Sequence, residues 1–170
     1  MILGMSLSTF VTVHVVISLI GIVAGVIVMF GLLGSNRMPG LTAIFLLFTI
    51  LTSATGFLIP PLVTETLLPS HMIGILSLVL LAIACIALYG MMLSGAWRWI
   101  YVVTAVLSLY LNVFVLVIQS FLKVPALHAL APSVPPSERP FAIVQGIVLV
   151  FFIIVIIGAV RRYRPMPTFA

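Results

Sequence analysis

His14, His71 and His128 are the chain's three imidazoles, and Glu65 and Glu138 are its only side-chain carboxylates. Imidazole suits haem iron, copper and zinc. His14 sits inside the apolar stretch FVTVHVVISLIGIVAGVIV, His71 opens another apolar run, and His128 follows a third. His14 and His71 are therefore the candidate ligands for a cofactor, either haem b or a metal ion. His71, His128 and Glu65 form the candidate set for an interfacial metal, with Glu138 as an alternative carboxylate. Acid–base work by paired carboxylates has only Glu65 and Glu138 to draw on, and they fall in different connections. There is no phosphate-binding glycine loop, nucleophile elbow or HExxH pair, so no catalytic residue is assigned. Cys85 is the only cysteine. It excludes an intramolecular disulfide and a cysteine-based zinc site, and its place in an apolar run marks it as a small packing residue.

A second constellation is made of amides and hydroxyls. Tyr101, Thr104, Ser108, Asn112 and Gln119 recur at helical spacing and form one stripe, which Lys123 continues. His14, Ser18, Gly21 and Gly25 share another face, and Gly21-x-x-x-Gly25 is the pattern that lets helices approach closely. That seam suits packing within the chain and packing between copies equally. Thr49, Thr52, Ser53 and Gly56 mark a third helix, and Gln145 beside Gly146 a fourth. Three accounts fit these residues: hydrogen bonds between helices, a cofactor or metal site, and a polar pathway along the Tyr101–Gln119 stripe for a proton, ion or small solute.

The elements that must carry these residues are set by composition. The chain has 170 residues, 64% hydrophobic and 5% charged, with a mean hydropathy of +1.48. Soluble domains carry about 25% charged residues. Five per cent cannot cover a water-facing surface, so the expectation is an all-α, polytopic membrane helix bundle, one transmembrane domain over 1–170. Five runs reach the roughly 20 apolar residues a span needs: about 7–33, 40–59, 70–93, 97–122 and 140–160. SNRMPG at 35–40, Pro60 and Pro61, GAWRW at 95–99 and the proline-rich 123–140 separate them. The first run is longer than a signal-peptide core and is expected to be a retained span. The first and fourth helices should be central, and the FFIIVIIGAV end of the fifth should face lipid.

The net charge of +5 would suggest nucleic acid in a soluble protein, but these basic residues sit at the ends of apolar runs. Arg37, Arg98, Arg161, Arg162 and Arg164 fall on one side, Lys123 and Arg139 on the other. Short Arg/Lys-rich loops stay in the cytoplasm, which puts the N-terminus outside and the C-terminus inside. Trp97, Trp99, Tyr101 and Tyr163 then form a cytoplasmic aromatic belt. The histidines and both glutamates fall on the outer side.

The segment GAWRWIYVVTAVLSLYLNVFVLVIQSFLKVPALHALAP (95–132), with VHVVISLIGIVAG, TSATGFLIP and HMIGILSL, resembles small five-helix proteins of the bacterial inner membrane. That resemblance implies five spans and no particular chemistry. His14 with Gly21 and Gly25, and His71 with Gly74, are more loosely similar to small membrane families in which helix-borne histidines hold b-type haem. The partners expected are the lipid bilayer and either a membrane protein or a second copy of the chain, and no nucleic acid. Function is expected to be that of an accessory or assembly partner of a membrane complex. The alternatives are a small redox, metal- or haem-binding protein with an outer-face site around His14 and His71, and a transporter using the polar stripe.

Overall fold

A computed structural model describes residues 2–59 and 69–166, with only the backbone of Pro69 and Ser70. Among these residues there are six α-helices: α1 (Leu7–Leu33), α2 (Pro39–Gly56), α3 (Pro69–Cys85), α4 (Trp97–Lys123), α5 (Pro125–His128) and α6 (Arg139–Arg162). Five are long and apolar enough to cross a membrane. α5 is a single turn in the connection after α4. The start signals are local. The Ser6 hydroxyl accepts from the Thr9 amide to cap α1. Proline stands in the first turn of α2 and of α6, where its missing N–H costs nothing. α2 ends at Gly56, earlier than the run of apolar residues suggested; Pro60 and Pro61, the expected stop, lie outside the described residues. α3 continues as a π-turn over Ile86–Gly90, and Met92 and Leu93 then take positive φ of 50° and 59°.

α1, α2, α3 and α4 pack in a closed ring, each against its neighbours in sequence and α4 back against α1. α6 lies outside the ring on α4 and α1, and α4 touches every other α-helix. Within their most apolar windows α1 and α4 are 44% and 39% buried, against 22% for the other three. The two helices are central, as their sequences suggested.

The end of α6 departs from expectation. Phe152, Val155 and Ala159 are buried and continue to buried Tyr163, while Ile153, Ile154 and Ile157 face outward. One stripe of FFIIVIIGAV is thus core. The aromatic belt is corrected in the same way. Trp99 is exposed, but Tyr101 and Tyr163 are 1% and 2% accessible, with ring centroids 6.2 Å apart. Each hydroxyl has a partner inside the protein, Thr42 for Tyr101 and Arg37 for Tyr163. A buried phenol needs such a partner.

Candidate functional site

The bundle has two chemically distinct ends. At one, Arg98 donates to the carbonyls of Tyr163 and Val160 (3.3 Å to the latter), capping the C-terminus of α6. The Arg164 amide donates to the Ser35 hydroxyl at 2.8 Å, and Arg37 bonds Tyr163. All five of Arg37, Arg98, Arg161, Arg162 and Arg164 gather there. The histidines on α1 and α3 mark the other end, where Lys123 is within electrostatic reach of His14.

His14 places Nδ1 2.7 Å from the Thr55 hydroxyl. That hydroxyl already donates to the Leu51 carbonyl at 2.7 Å, so its one proton is spent. The neutral His14 ring must therefore donate from Nδ1, which leaves Nε2 with a free lone pair. His71 stacks on Phe57, centroids 5.6 Å apart and 14° between planes. His14 meets α2 from the α1 side, its Cε1 3.7 Å from where a Cβ on Gly56 would lie. The end of α2 and the residue that follows it thus lie against both candidate haem ligands, Gly56 against His14 and Phe57 against His71.

Of the proposed metal set, Glu65 lies outside the described residues. His71 and His128 each bury Nδ1 without a partner, and the turn carrying His128 packs on α4 rather than on α3. Glu138 is occupied locally: its oxygens accept from the Ser133 amide and hydroxyl and the Ser137 amide at 2.9–3.1 Å. Among the described residues no three of His, Cys, Asp and Glu cluster as metal ligands.

The amides and hydroxyls converge more clearly. Gly21 packs on Thr49, with 3.3 Å from an added Cβ to the Thr49 nitrogen, and His14 packs on Thr55. Ser18 lies between Gly21 and His14 on α1, as Ser53 lies between Thr49 and Thr55 on α2, so the two serines share a depth. Ser18 donates to Asn112 Oδ1 at 3.2 Å, joining α1 to α4. Ser53 donates to Ser77 at 3.2 Å, joining α2 to α3. Each helix of the ring gives one polar side chain to this layer. Ser77, which sequence reasoning passed over, is 4% exposed; its lone hydroxyl in an apolar run was the available signal. Asn112 Nδ2 is buried without a partner.

The stripe on α4 does not stay polar through the bundle. Tyr101, Thr104, Ser108 and Asn112 are buried, whereas Gln119 is exposed. Thr104 and Ser108 turn their hydroxyls back onto the carbonyls of Ile100 and Thr104, at 2.7 and 2.8 Å. Beside them Gly25, Met29, Phe45, Val106 and Leu109 close into a layer with no room for a water. Gln145 donates from Nε2 to the Phe114 carbonyl at 3.0 Å, tying α6 to α4. On the outer face of α1 and α2, Leu19, Val23, Ile27, Leu41 and Ile44 line an open apolar groove of about 380 Å³.

An added Cβ on Gly25 would lie 2.6 Å from Leu109 Cδ1 and 2.8 Å from the Phe45 ring. Gly21 and Gly25 are the contact of α1 with its own α2 and α4. No family model, curated protein or solved structure matches the chain. What fold and site together define is a multi-pass helical membrane protein of five spans, with a polar layer in the ring of four.

Proposed function

We propose that this is a non-catalytic protein of the bacterial inner membrane, an accessory or assembly partner of a membrane complex, akin to the small five-helix proteins it resembles. The observation that carries this reading is the polar layer. In it Ser18 pairs with Asn112 and Ser53 with Ser77 across helices, and beyond it His14 pairs with Thr55. These hydrogen bonds hold helix to helix, which is a structural use of the polar groups. In hydrocarbon such groups have no other partners. The arginine-rich end faces the cytoplasm in this reading, with the N-terminus outside, because short basic loops are retained on that side.

A second reading, a small redox, metal- or haem-binding protein, draws on the free Nε2 of His14 and the unpartnered Nδ1 atoms of His71 and His128. One experiment separates the two. The protein is purified in mild detergent from cells supplied with haem precursor and metals. Oxidised and dithionite-reduced spectra and elemental analysis are recorded on one sample. The accessory reading expects a colourless, metal-free protein, in which His14→Ala lowers stability by about 0.6 kcal/mol and at most about 1.7, the average and the maximum for interhelical hydrogen bonds in membranes. A Soret band, or near-stoichiometric iron, copper or zinc lost in His14→Ala and His71→Ala, would replace it with the second reading.

A further inference from the structure

We propose that the arginine end of the bundle binds the headgroup of an anionic glycerophospholipid, with Arg161, Arg162 and Arg164 as the charged contacts. The inference rests on the chain lying in a bilayer and not on the accessory role. Five arginines meet at this end. The only described carboxylate side chain, Glu138, starts α6 at the other end. Among the described residues no carboxylate side chain lies at this end to pair with Arg161, Arg162 and Arg164, which leaves an exposed positive patch complementary to an anion.

The three arginines are also held in place. Tyr163 is buried against Tyr101. Arg98 grips the Val160 and Tyr163 carbonyls, and Ser35 takes the Arg164 amide. The chain leaving α6 is thus pinned across the α1–α2 turn. Arg161, Arg162 and Arg164 project from that frame and are exposed. Arg98 and Arg37 serve the frame itself.

Their depth selects the ligand. Arg161 directly follows the apolar span of α6, and exposed Trp99 opens α4 at the same end. Tryptophan at a span end sits at headgroup level. Guanidinium pairs with phosphate oxygens through parallel hydrogen bonds. At this depth the phosphate within reach is the lipid phosphodiester, and a net negative headgroup such as phosphatidylglycerol is preferred over a zwitterionic one.

The two tryptophans of the chain, Trp97 and Trp99, both lie here, so their fluorescence reports this end alone. The full chain is reconstituted in phosphatidylcholine bilayers, and quenching by headgroup-spin-labelled phosphatidylglycerol is compared with that by the labelled phosphatidylcholine. The expected relative association is at least about threefold in favour of the anionic lipid. It should fall towards one in R161Q/R162Q/R164Q and in wild-type protein at high salt. Free glycerol phosphate in the buffer should not reverse it. Equal quenching by both lipids in the wild type would overturn the proposal. So would an unchanged preference in the triple variant, or displacement by glycerol phosphate, which would mark a site for soluble phosphate. If the triple variant fails to insert, the salt arm decides: a preference that persists at high salt is not made by these arginines.

Discussion

Adding one methyl group to Gly25 tests the packing of the ring directly. An ideal Cβ there falls 2.6 Å from Leu109 Cδ1 and 2.8 and 2.9 Å from two carbons of the Phe45 ring. Carbon atoms in good contact stand about 3.5–4.0 Å apart, so each contact overlaps by most of an ångström. Leu109 and Phe45 are 1% and 2% exposed, so they can yield only by repacking the core around them. Overpacking of this kind costs about 1–3 kcal/mol. Against it stands the better helix propensity of alanine, worth about 1 kcal/mol. Gly146 on α6 is the internal control, because an added Cβ there meets nothing within 4 Å. Gly146→Ala keeps the propensity gain with no clash. Gly25→Ala should therefore be the less stable of the two variants by about 1–3 kcal/mol. At about 2–4 °C per kcal/mol for a chain of this size, the gap in Tm is several degrees, measurable by thermal unfolding in one detergent. Two variants that melt together would refute the argument, and α1 would not meet α2 and α4 as described.

Three further outcomes are expected. In a double-mutant cycle of Ser18→Ala and Asn112→Ala, the coupling should be about 0.6 kcal/mol, up to about 1.7; additive losses would mean that the α1–α4 hydrogen bond contributes nothing. Met92→Gly should raise stability by up to about 1 kcal/mol, because a non-glycine residue at φ of 50° carries about 1–2 kcal/mol of backbone cost and this side chain is 67% exposed; a lower melting temperature would show that Met92 is anchored. At Glu138 desolvation works to raise the carboxyl, but hydrogen bonds from Ser137 and Ser133 together outweigh it and hold it below the ordinary carboxylate value. A folded value below the unfolded one stabilises the 133–138 turn above the unfolded pKa, and that stabilisation is lost as pH falls through the folded value. Titrating the Ser133 and Ser137 amide shifts by NMR should give a midpoint below that of an unstructured glutamate, and a midpoint at or above it would contradict the bonding described.

The sequence carried the architecture because spanning a bilayer leaves few solutions. A stretch of some 20 apolar residues must satisfy its own backbone as a helix, and prolines and charges fall where helices cannot continue. The number and order of the spans, the centrality of α1 and α4, and the grouping of five arginines at one end all follow from that. Polar residues inside spans announced themselves too: Ser18, Ser53 and Asn112 were visible as candidates because hydrocarbon penalises them. What stayed hidden was partnership. Helical spacing places Thr104, Ser108 and Asn112 on one stripe. It does not say that two of these hydroxyls bond their own helix and that a dry layer of Phe45 and Leu109 lies beside them. FFIIVIIGAV is apolar on every side, so no periodicity could separate the stripe of Phe152, Val155 and Ala159 that packs from the isoleucines that face out.

The same division holds at both ends of the bundle. The order of apolar runs and charges determined a five-span membrane protein with five of its seven basic residues at one end, since the cost of burying charge and open backbone in hydrocarbon is a property of each residue. Only the tertiary structure decided that Gly21 and Gly25 face the chain's own α2 and α4, that Tyr101 and Tyr163 are interior, and that Gly56 and Phe57, at the end of α2 and just beyond it, lie against the candidate haem ligands. These depend on distances between residues far apart in sequence, and such distances are set by how side-chain surfaces fit together.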